Sequence, residues 1–142
     1  MNGKSKPVEI DDRRYPTLSQ FEAGQIDAAA FDHRAHVNVA WQYLEHYSLH
    51  EAVRRYCDAL QRLTQALGVA EKYNETVTWF FLILIAEKRN GMPGATWDEF
   101  CQANPELCND GGKVLRRFYS SERLNSSLAR RVFLVPDRPA AA

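Results

Sequence analysis

The segment FDHRAH, residues 31 to 36, sets His33 and His36 three positions apart in a chain with four histidines. On a helix, residues i and i+3 leave neighbouring turns on the same side, close enough for two imidazoles to grip one ion. A third ligand must then come from another element, and Glu75, in KYNET, is the acid best placed for it. Two histidines and one carboxylate leave open positions on zinc, iron or manganese, an arrangement suited to activating water or oxygen. Asp32, Tyr43 and Tyr73 can orient an imidazole from behind. A structural account competes with this one. A histidine on an apolar stripe can simply donate a hydrogen bond to a backbone carbonyl, and an acid in the first turn of a helix is favoured by the helix dipole. Neither HExxH nor the ExxH of di-iron bundles occurs.

The other reactive groups are less organised. Cys57, Cys101 and Cys108 form an odd set with no CxxC, which reads as free thiols in a reducing cytoplasm. The run YSSERLNSSLARR gathers hydroxyls with Arg123, Arg130 and Arg131, groups that can hold an anion. Helix capping by Ser121 and Asn125, with solvated arginines, explains the same residues. A buried Arg130 would need a carboxylate, and Asp137 is at hand. His46 and His50 are separated by a helix break at Ser48. GxSxG and the phosphate-binding loop are absent, so no motif specifies a reaction.

The elements that must position these residues are helices. From Phe31 to Tyr47, His33, His36, Val37, Ala40, Tyr43, Leu44 and Tyr47 share one stripe at 100° per residue, so both histidines face inward. Thr17 to Gln20, Ser48 to Glu51 and Thr96 to Glu99 have the pattern of capping boxes. The helix opened by Ser48 runs to Gly68 and forms a tight hairpin with its predecessor. A third helix runs from Asn74 to Asn90-Gly91. Its segment Val77 to Ala86 is apolar on every side, which predicts a rod buried by neighbours all round. Pro105 suits a first helical position, and short helices follow to the C-terminus.

The expectation is therefore an all-α, single-domain bundle with a buried central helix and short C-terminal helices. Residues 1–15 read as a loose arm, 16–137 as the domain and 138–142 as a tail. The 142 residues are 45 % hydrophobic and 25 % charged, with 18 basic and 18 acidic side chains. That balance argues against nucleic acid and membrane surfaces as partners. The longest apolar run is half a membrane span, and no secretory leader precedes it, so a cytoplasmic protein is expected.

Taken together, FDHRAHVNVAWQYL, KYNETVTWFF and YSSERLNSSLARRVFLVPD resemble segments of a family of small, uncharacterised bacterial proteins. Its members carry F-x-H-x-x-H, Y-H-E-T and Y-S…L-x-S-x-x-A-R…P-D in this order, and the resemblance spans roughly Phe21 to Asp137. In that pattern the residue before the glutamate is usually histidine; here it is Asn74. The resemblance implies a ligand pocket around His33, His36, Glu75 and Asn74, with Arg130 among the shared residues. It implies no reaction.

Two functions follow from different classes. In one, His33, His36 and Glu75, with Asn74, Tyr43 and Tyr73, form an internal pocket for a divalent metal or a small molecule. In the other, the chain is a non-enzymatic helical module that binds a protein or a second copy of itself through Trp41 and Trp97.

Overall fold

Local sequence signals set most of the helix starts. In the computed structural model, which describes residues 7–139, those signals yield nine α-helices, two single 3-10 turns and, among the described residues, no strand. The helices are α1 (Leu18–Glu22), α2 (His33–His46), α3 (Leu49–Ala66), α4 (Glu75–Asn90), α5 (Trp97–Ala103), α6 (Pro105–Asn109), α7 (Gly111–Phe118), α8 (Ser121–Leu124) and α9 (Ser127–Arg131). The expected all-α bundle is what forms.

Thr17 and Thr96 close complete capping boxes with Gln20 and Glu99. Asp32 and Asn74 cap α2 and α4 by accepting from Ala35 N–H and Val77 N–H. Ser48 departs from its expected box: its hydroxyl faces His50 Nδ1 (3.4 Å) and makes no cap bond, and Glu51 turns to Arg54 and Arg55. The hairpin between α2 and α3 forms regardless. Past the end of α3, Gly68 takes φ 71°, a conformation that costs glycine nothing.

Helix α4 packs against α2, α3 and α9 and divides the core in two. On one side Leu82 and Ile85 join Val37, Val39, Tyr43, Tyr56 and Leu60. On the other, Phe80 meets Val114 and Tyr119, with the Phe118 ring tilted against it at 4.9 Å between ring centres. The sequence predicted burial on every side, and here the structure differs. Ile83 is 38 % exposed and lies on the same strip as exposed Glu87, where no helix covers α4.

Both ends of the described segment are fastened to this frame. Thr76, fully buried on α4, donates to Val132 O (2.8 Å) and accepts from Leu134 N–H (3.0 Å). Asp137 accepts from the backbone and hydroxyl of Ser120 at 2.7 and 2.6 Å. The N-terminal arm, expected to be loose, is strapped down at Asp11; residues 1–6 lie outside the described residues. The Asp11 carboxylate accepts from Tyr15, from Arg34 Nε (3.0 Å) and from Trp97 Nε1 (3.1 Å), while its own amide donates to Asp98 Oδ1 (2.9 Å). Burial alone would raise this carboxyl's pKa. The hydrogen bonds from Tyr15, the Arg13 amide, Trp97 and Arg34 outweigh burial and hold it below the usual carboxylate range.

Candidate functional site

A cavity of about 720 Å³ opens between the first half of α2, the second half of α3 and the first half of α4. Its walls are mainly apolar: Phe31, Val37 and Ala40 from the α2 side, Leu60 and Leu63 from α3, and Val77, Phe81, Leu82 and Ile85 from α4. Exposed Ala28, Asp32, Leu67 and Lys72 mark its mouth.

His33 and His36 both line this cavity, as their shared stripe requires. Their bonding differs. Nε2 of His33 lies 2.8 Å from Leu107 O, an acceptor only, so Nε2 carries the proton and donates it. The His33 ring also rests 5.0 Å from that of Phe81 and lies against the backbone of Gly111, locking α2 to α6 and α7. Nδ1 of His36 lies 3.2 Å from the Tyr56 hydroxyl, which in turn donates to the His36 carbonyl at 3.3 Å. With that hydroxyl proton committed, we assign the imidazole proton to Nδ1, and Nε2 keeps its lone pair. Phe31 packs on the other side of His36 at 4.1 Å between ring centres. Burial, and then the neighbouring His33, push the His36 pKa down from 6.5 to about 4, so the ring is neutral near pH 7.

The other expected site residues fall elsewhere. Glu75 does not line the cavity; its carboxylate accepts the Tyr73 hydroxyl. Tyr73 does line it, with its proton spent on Glu75. Asn74 lines it too, but its amide caps α4 and donates to Leu124 O at 2.9 Å. Tyr43 is fully buried away from the cavity, and its hydroxyl donates to Glu22 (2.8 Å). Among the described residues no three His, Cys, Asp or Glu side chains converge as metal ligands. The donor set His33, His36 and Glu75 is therefore not brought together: Nε2 of His33 is turned to Leu107 and the Glu75 carboxylate to Tyr73.

Arg130 is exposed, and Asp137 is taken by Ser120 instead. Ser120 and Ser126, one position from the expected Ser121 and Asn125, supply the caps of α8 and α9. Trp41 and Trp97 pack on each other at 5.8 Å, with Arg89 over Trp41 and Arg34 over Trp97. The three cysteines are buried and unbridged, and burial raises the Cys57 thiol to about 11, which keeps it protonated.

Sequence reading missed Tyr56, the partner of His36, although its place on the apolar stripe of α3 was visible. It also missed Phe31 and Lys72 as lining residues. Comparison with known protein families, curated proteins and solved structures gives no match. Among the described residues no helix is long and apolar enough to cross a membrane.

Proposed function

We propose that this protein binds a small, largely apolar molecule in the cavity between α2, α3 and α4. The observation that carries this reading is the cavity itself: about 720 Å³ of space walled by aliphatic and aromatic side chains, with the His36 imidazole at its inner wall. Its size suits drug-sized ligands, and the pairing of apolar walls with few polar groups is typical of sites that take them. Apolar surface left facing water in a folded core is costly, and a ligand that covers it recovers that cost. His33 and Tyr56 support the site by fixing the elements and the ring beside it. The neutral His36 serves as a hydrogen-bonding group.

Naphthalene tests the reading, because it needs no polar complement. Saturable binding to the wild type by titration of ¹⁵N-labelled protein is expected, with shifts centred on Val77, Phe81 and Leu63. Val77→Trp, which projects an indole into the space, should stay folded and weaken the binding. Absence of saturable shifts in the wild type up to the solubility of naphthalene would overturn it.

A further inference from the structure

The polar atoms facing the cavity are nearly all committed. Tyr73 gives its proton to Glu75, Thr64 and Thr78 give theirs to backbone carbonyls of their own helices, and both ends of the Asn74 amide are bonded. Tyr56 donates to the His36 carbonyl, and Asp32 caps α2 and pairs with Arg13. His33 spends its only N–H on Leu107, which leaves its Nδ1 as one more acceptor and no donor. What remains is unequal in kind. Inside, Nε2 of His36 offers a lone pair and has no partner among the described residues. At the mouth, Lys72 offers N–H donors and makes no ion pair among those residues. No buried side-chain nitrogen or oxygen of the described residues is sealed in without a partner, so Nε2 is open to the cavity.

A cavity whose inner polar atom only accepts selects ligands that donate. From this we infer that the molecule bound here carries a hydroxyl or N–H at its buried end, as an alcohol, phenol or indole does, and gives that proton to Nε2 of His36. A ketone or carboxylate in the same place would set its lone pairs against that of the imidazole. It would be left unpaired in an apolar site, which is the costly case. Such acceptor groups belong at the mouth, beside Lys72.

This inference rests on the cavity being a binding site, and the probes separate the two claims. Indole and 1-methylindole, and 4-ethylphenol and 4-ethylanisole, differ by one donor proton with the apolar body conserved; naphthalene carries no polar group. The donor of each pair should bind roughly three- to tenfold tighter than its methylated partner. His36→Phe should erase the difference within each pair. Independently of any variant, the His36 ¹⁵N resonances of the free wild type should give Nδ1 as the protonated nitrogen. They should also show Nε2 moving on addition of 4-ethylphenol. Naphthalene binding with no preference within the pairs, or a free protein protonated at Nε2, would overturn the inference and leave the binding site standing. Failure of every probe, naphthalene included, would overturn both.

Discussion

The backbone of Gly111 lies flat against the His33 imidazole: a Cβ at position 111 would stand 2.4 Å from Cε1 of that ring. Gly111 has no positive φ, so its need is for space and not for backbone freedom. The contact is what lets the first turn of α7 close over the first turn of α2, with His33 donating to Leu107 between them.

Gly111→Ala should therefore cost about 1–3 kcal/mol of folding stability in urea denaturation, as an overpacked core does. The His33 ring resonances should shift with it. Gly112→Ala is the control, since its nearest obstruction is the flexible end of Arg116 at 3.2 Å, and it should cost much less.

Asp11→Ala removes a carboxylate, its side chain only 6 % exposed, that pairs with Arg34 and is the acceptor of the Trp97 indole N–H. A loss of about 3 kcal/mol is expected, in the range for breaking a buried ion pair. Asp11→Asn, which keeps one acceptor oxygen, should lose less. Equilibrium unfolding and the near-ultraviolet signal of Trp97 read both.

The pH dependence has a calculable sign. His36 titrates near 6.5 when unfolded and near 4 when folded, so between those values the unfolded chain binds more protons. The stability this histidine contributes is complete above pH 6.5 and is lost as pH falls toward 4. From pH 7 to pH 4.5 the loss should be on the order of 2–3 kcal/mol. His36→Phe should flatten the curve over that window. The Asp11 carboxyl, held low in the folded state, adds its own loss only below pH 3.8.

Asn74 gives a sharper test of cap against ligand. Asn74→Ala removes the acceptor for Val77 N–H and the donor to Leu124 O, at a cost of about 1–2 kcal/mol. Asn74→Asp keeps the cap and should recover part of that. Circular dichroism during urea unfolding measures both, and equal stability of all three chains would contradict the capping role.

The parts of this fold written in the sequence are those set within a few residues. The boxes at Thr17 and Thr96, the cap at Asn74 and the stripe carrying His33 and His36 depend on i+3 and i+4 neighbours, and all of them form. Ser48 misled: its hydroxyl faces His50, and Glu51 turns to two arginines within one turn. Ser120 and Ser126 lie in runs of interchangeable hydroxyl and amide residues, where the pattern fits adjacent positions equally well. The site was half legible. A stripe tells which residues point inward, and His36 does; it does not tell which atom of another helix they meet. Tyr56 is 20 residues from His36, and Leu107 is 74 from His33. Glu75 stands on the right helix, but its neighbour Tyr73, two positions away, captures it first.

The strap at Asp11 also has a consequence in time. Its amide and carboxylate meet partners 87 and 86 positions later in the chain, at Asp98 and Trp97. During synthesis at 5–20 residues per second, Asp11 would emerge roughly 4–17 s before Trp97 and Asp98. Through that interval the α2–α3 hairpin can close on local contacts and Arg34 can reach Asp11, 23 positions before it, while the pair waits for the Trp97 indole. The arm is the earliest part of the domain to be made and among the last to find its place.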